Sequence, residues 1–134
     1  MNSAFTMPIY WVDEKKTKKS TTHLVGMNFY RNCHYHTKNK LKQDLEAHLV
    51  ASSNGYTLIP GKFTLNCKLY YKNPSCDGSN IIALMEKVFL DFAQNYGIIE
   101  QDNVKYHLGT TWSVAGQDKE NPRCEIQIIK KESE

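Results

Sequence analysis

The most constraining stretch of this chain runs from Lys62 to Gly97, where the hydrophobic period changes once. From Lys62 to Lys72, apolar Phe63, Leu65, Cys67 and Leu69 alternate with Lys62, Thr64, Asn66 and Lys68. A period of two predicts a half-buried strand. From Ser79 to Gln94 the period becomes helical. With Met85 at the centre of the buried face, Ile81, Ile82, Val88, Phe89 and Phe92 fall within about 60° of it at 100° per residue. Asn80, Lys87 and Asp91 gather on the far side, and Ser79 and Glu86 form a second polar row. Asn95 and Tyr96 end the helix, with Gly97 as a left-handed cap.

The flanks give weaker signals of the same kinds. Phe5 to Val12 is β-rich, with Pro8 pointing to an edge. Asp13 to Thr22 predicts a charged hairpin tip, and His23 to Arg31 a second strand with a bulge at Gly26. Leu41, Leu45 and Leu49 predict a helix over Thr37 to Ala51, with Thr37 as N-cap. Ser52, Ser53, Asn54 and Gly55 stop it, and Pro60-Gly61 marks a turn. Val104 to Val114 and Arg123 to Ile129 predict two closing strands. The order β-β-α-β-α-β-β describes one α+β domain over residues 1–134, with a mixed sheet and both helices on one face.

Charge distribution narrows the function. The 134-residue chain carries a net charge of +3. Residues 1–60 hold 8 Lys/Arg against 4 Asp/Glu, and residues 61–134 hold 9 against 10. Within the second part, 77–102 holds five acids (Asp77, Glu86, Asp91, Glu100, Asp102) and one base, Lys87. A basic front suits phosphate, whereas an acidic island repels it unless cations neutralise it. Carboxylates converging from different elements make a hard-oxygen site for Mg²⁺ or Mn²⁺, and such a metal supports phosphodiester hydrolysis. Plainer roles fit the same residues: Asp77 as a helix cap, Glu86 and Lys87 as solvated charges, Asp102 as a turn former.

Other classes are disfavoured. No apolar run approaches the roughly 18 residues of a membrane span, and Met1 to Thr6 lacks the start of a signal peptide. Cys33, Cys67, Cys76 and Cys124 lack paired spacing and are expected as free thiols in the cytoplasm. Cys33-His34-Tyr35-His36 offers metal-ligating atoms too closely spaced for good zinc geometry. Lys15, Lys16, Lys18 and Lys19 read as a solvated tip that also fits a phosphate backbone. Arg31 with Lys38, Lys40 and Lys42 extends that basic surface.

Three spaced segments carry a family resemblance: Asp77-Gly-Ser-Asn80, Lys87-Val-Phe-Leu-Asp91 and Gly97-Ile-Ile-Glu-Gln-Asp102, with a weaker match at Met27-Asn-Phe-Tyr-Arg31. Together they resemble the RusA-type Holliday junction resolvases, small phage and prophage endonucleases. The resemblance implies a RusA-like fold, a homodimer, four-way DNA junctions as substrate and Mg²⁺ as cofactor, with Mn²⁺ as a substitute. It implies Asp77 and Asp102 as metal ligands, Glu86 as a third ligand where Ser79 replaces the family's second carboxylate, and Lys87 as a charge stabiliser. Asn28, Arg31, Lys38, Lys42 and Asn80 are the candidate DNA contacts. Ser79 and a helix longer than the family's by about one turn also motivate an alternative, a branched-DNA-binding protein with weakened cleavage.

Overall fold

A computed structural model describes residues 4–131 except 54 and 56. Its elements are β1 (Ala4–Pro8), β2 (Tyr10–Asp13), β3 (Thr21–Leu24), α1 (Met27–Asn32), α2 (Tyr35–Ser52), β4 (Phe63–Tyr71), α3 (Gly78–Asn95), β5 (His107–Gln117) and β6 (Arg123–Lys130). The α+β class and the mixed sheet agree with the sequence patterns, but the described residues form three helices where the periodicity predicts two.

Four strands form the main sheet in the order β1-β6-β4-β5. Strands β4 and β5 are parallel, joined by α3, while β6 is antiparallel to both β1 and β4. The alternation in β4 holds as predicted: Phe63, Leu65, Cys67 and Leu69 are buried. Phe5 and Met7 of β1 and Cys124, Ile126 and Ile128 of β6 are buried with them. Leu41, Leu45 and Leu49 of α2 and nine residues of α3 supply the helical side of this core. Phe5 meets Phe89 and Phe92 with ring centroids 5.1 and 6.0 Å apart, tying β1 to α3. One sheet face is covered by helices. On the other, the Arg123 guanidinium lies 3.8 Å from the centre of the Tyr70 ring.

The departures have local causes. The β-rich stretch from Phe5 to Val12 is divided at Ile9 between two sheets: β1 pairs with β6, whereas β2 pairs with β3 as a separate hairpin. Lys15, Lys16, Lys18 and Lys19 lie exposed at its tip. Asp13 is no loop residue: it closes β2, is 6% exposed, and accepts a 2.6 Å hydrogen bond from Lys40. Trp11 Nε1 donates to Asp44 at 2.7 Å, a second tie from this hairpin to α2.

The predicted strand over His23 to Arg31 stops at Leu24, and α1 begins at Met27. Gly26 is the N-cap of α1 in an extended conformation rather than a bulge. Helix α2 starts two residues earlier than predicted, capped by His34, whose Nδ1 accepts from the His36 N–H at 3.2 Å. Asn54, part of the predicted stop, lies outside the described residues. Asp77 caps α3, and Gly97 follows its end with φ +72°, a conformation that costs glycine little. The strand predicted from Val104 begins only at His107, because the 103–106 stretch is a turn: the Tyr106 and His107 N–H groups both donate to the Asn103 carbonyl.

Candidate nucleic-acid interface

At the head of α3 the Asp77–Asn80 segment meets the Met27–Arg31 segment. Asp77 Oδ1 accepts from the Asn80 N–H at 3.2 Å and from Ser79 Oγ at 3.1 Å, satisfying a first-turn donor that the helix leaves open. The side chain of Asn80 faces outward from this turn and accepts the Asn28 N–H through Oδ1 at 2.8 Å. That bond joins two segments of the resemblance across 52 positions of chain. It also explains Gly26. A Cβ there would stand 2.3 Å from Asn80 Nδ2, so only glycine lets α1 settle against the amide.

The second anchor lies further along α3. Asp91 Oδ2 accepts from Lys42 Nζ at 2.8 Å and lies 3.9 Å from Lys87 Nζ. Asp91 therefore bridges α2 and α3 and draws two cations together. Burial lowers the pKa of Lys42, but the hydrogen bond and charge of Asp91 outweigh it and hold the ammonium above its ordinary value, with Tyr30 and Glu46 adding to the shift. Lys38 Nζ lies 5.5 Å from the centre of the Tyr30 ring on α1.

Taken together, these contacts tie α1 to α2 and α3. Asn28 holds Asn80, the polar row of α3 leads to Asp91, Asp91 holds Lys42, and Tyr30 lies within the field of Lys42 and beneath Lys38. Arg31 projects exposed from the last turn of α1. Of the five candidate DNA contacts, Asn28 and Asn80 meet each other, Lys42 shares Asp91 with Lys87, Lys38 lies near the Tyr30 ring, and Arg31 is exposed on α1. Lys40 is turned elsewhere, to Asp13 and the Glu14 carbonyl. The contribution of α1 was hidden in the sequence, because its six residues are too few for a period. The glycine at 26 was the one available signal.

The carboxylates do not converge. Asp77 caps the start of α3, whereas the Asp102 N–H donates to Gln94 Oε1 near the helix end, at 3.1 Å. Seventeen residues separate Asp77 from Gln94, about 25 Å of helix. Glu86 lies roughly 13 Å along the axis from Asp77. The shared polar face of Ser79 and Glu86 does not help, since seven residues of rise is still roughly 10 Å. Mg²⁺ holds its ligands at about 2.0–2.1 Å. Within one chain, Asp77, Glu86 and Asp102 therefore stand too far apart along α3 for the convergence on one Mg²⁺ or Mn²⁺ that the sequence suggests. Among the described residues, no group of three or more His, Cys, Asp or Glu side chains is placed to hold a metal ion. Cys33, His34 and His36 form no such group either; the His34 and His36 rings stack, and the Tyr35 ring lies tilted against both.

All four cysteines are free. Cys67 and Cys124 are buried on neighbouring strands, and the hydrogen bond between them, reinforced by burial, pushes the Cys124 thiol far up. Among the described residues, no helix is long and apolar enough to cross a membrane. The chain matches no protein-family model and no curated protein sequence.

Proposed function

We propose that this chain is a branched-DNA-binding protein on a RusA-like domain, and that it meets the phosphate backbone through the surface built by α1, α2 and α3. The observation that carries this reading is that Lys42 and Lys87 meet at Asp91 and Lys38 lies near Tyr30 of an α1 that Asn80 holds in place and that bears the exposed Arg31. Cations fixed on rigid elements can track a phosphate path, and their number sets the salt dependence of binding. Asn28 and Asn80 add polar groups beside them.

A second reading is Mg²⁺-dependent cleavage of the same substrate, with Mn²⁺ as a substitute. It is favoured by Asp77, which stands exposed at the head of α3 with only Oδ1 engaged. Since one chain does not bring the carboxylates together, that reading requires ligands from two copies of the chain.

The deciding experiment uses a labelled four-way junction and a duplex of the same sequence. The first reading expects junction binding well above duplex binding, weakened in Lys42→Ala and Lys87→Ala, and no cut strands in Mg²⁺. Equal affinity for both DNAs, or none for either, overturns it. Strand cutting in Mg²⁺ that is lost in both Asp77→Asn and Asp102→Asn establishes the second reading instead.

A further inference from the structure

The parallel strands β4 and β5 end side by side, with Tyr71 in register with Gln117. Just beyond their ends lies a recess of about 610 Å³, lined by Tyr10, Lys72, Asn73, Pro74, Gln117 and Lys119. The two chain segments that form it are tied together. The Asp118 N–H donates to the Tyr71 carbonyl at 2.8 Å, and Gln117 Nε2 donates to the Lys72 carbonyl at 2.9 Å. Ligands of open α/β sheets typically bind outside the carboxyl ends of parallel strands. Small-molecule sites span about 300–1,000 Å³, so this recess has both the place and the size of one.

Its lining carries two cations and no acid. Among the described residues, neither the Lys72 nor the Lys119 ammonium is paired with a carboxylate. Lys72 Nζ lies 5.6 Å from the centre of the Tyr10 ring, which holds the ammonium without neutralising it. Asp118 stands between two lining residues in the chain, but its carboxylate is engaged elsewhere: Oδ2 accepts from Arg123 at 2.8 Å, and Oδ1 from the Asn121 N–H at 3.0 Å. Asn73 Oδ1 accepts from the Ser75 N–H at 3.0 Å and from Ser75 Oγ at 2.9 Å. What Asn73 can offer a ligand is therefore its Nδ2 donors.

We propose that this recess binds a small phosphate monoester of nucleotide size, its phosphate held by Lys72 and Lys119 and its organic part against Tyr10 and Pro74. The charge selects the monoester. A phosphate monoester carries about −1.5 to −2 at neutral pH and three strong acceptor oxygens, which two unpaired ammoniums and the Asn73 amide match. A phosphodiester within a strand carries only a single charge per phosphate. The volume selects a ligand larger than phosphate alone, and the Tyr10 and Pro74 rings give its remainder an apolar wall.

None of Asn28, Arg31, Lys38, Lys42, Asn80 and Lys87 lines this recess. The site therefore stands apart from the residues that carry the DNA reading, and its test needs no junction. A phosphate monoester can come from a free nucleotide or from the phosphorylated end of a strand. Both present the same dianion, and competition tells them apart.

Calorimetric titration of the full chain with adenosine 5′-monophosphate is expected to show one site, with the amide resonances of 72–73 and 117–119 shifting on binding. Lys72→Gln and Lys119→Gln each weaken binding at least about tenfold, the loss of one hydrogen bond to a charged group, with an unchanged circular dichroism spectrum. Lys105→Gln, the same change of charge just before the start of β5, leaves the affinity as it was. Adenosine and inorganic phosphate each bind more weakly than the monophosphate that joins them. Displacement of the nucleotide by a 5′-phosphorylated oligonucleotide and not by its 5′-hydroxyl twin assigns the monoester to a strand end; displacement by neither assigns it to a free nucleotide. No binding at millimolar nucleotide, adenosine binding as tightly as its monophosphate, resonance shifts away from the recess, equal displacement by both oligonucleotides, or an equal effect of Lys105→Gln overturns the proposal.

Discussion

Asn80 Oδ1 accepts the backbone N–H of Asn28 at 2.8 Å, and this bond fixes α1 against the head of α3. Replacing Asn80 with Ala leaves the Asn28 donor without its partner and removes the amide that packs on Gly26. The expected cost is about 1–2 kcal/mol in urea unfolding. Junction affinity falls as well, because Arg31 loses its fixed position. Asn80→Asp keeps the acceptor and is milder in both measurements. Gly26→Ala disturbs the same contact from the other side by overpacking, at about 1–3 kcal/mol.

Asp77 has a capping role that can be separated from any chemistry. Asp77→Ala is expected to destabilise the fold by about 1 kcal/mol, the usual cost of a lost N-cap, whereas Asp77→Asn keeps an acceptor of similar quality and stays within about 0.5 kcal/mol of wild type. Denaturant midpoints of the two variants check this. A loss of Mg²⁺-dependent cutting in Asp77→Asn would then report on the carboxylate charge and not on folding.

Asp91 competes with DNA for Lys42 and Lys87. Asp91→Asn removes that competing charge, so junction affinity is expected to rise severalfold at low salt. The salt dependence steepens toward one more released counterion per lysine freed, a slope change of about 1 each. Lys42→Ala and Lys87→Ala change the slope in the opposite direction. Fluorescence anisotropy titrations from 50 to 200 mM salt, the usual range for such slopes, read both effects.

The same pair dictates an alkaline limit. The pKa of Lys42 is raised in the folded chain, so its stabilising contribution is complete below the unfolded value near 10.5 and is lost as pH rises through the folded value. Unfolding measured across that window should show wild type losing more stability than Asp91→Asn, in which the charge that raises the pKa is gone. Parallel curves for the two proteins would show that Asp91 is not the source.

Much of the fold was legible because burial imposes a period. The alternation of Phe63, Leu65, Cys67 and Leu69 fixed β4, and the stripes through Met85 and Leu45 fixed α3 and α2. Local chemistry placed Gly97 correctly for the same reason, since one backbone conformation demanded it. The α1 helix was not legible: six residues have no period, and what seats α1 is a side chain 52 positions away from Asn28.

The sequence by itself determined the α+β class, the main strand and helices, and the polar row of Asn80, Lys87 and Asp91 on α3. It also held the cations Arg31, Lys38, Lys42 and Lys87. Only the tertiary structure decided which of these residues meet. A helix translates its residues 1.5 Å at a time whatever their chemistry, so carboxylates that are neighbours in a motif stand at opposite ends of α3. Residues remote in sequence, Asn28 with Asn80 and Lys42 with Asp91, became neighbours because the helices carrying them pack together.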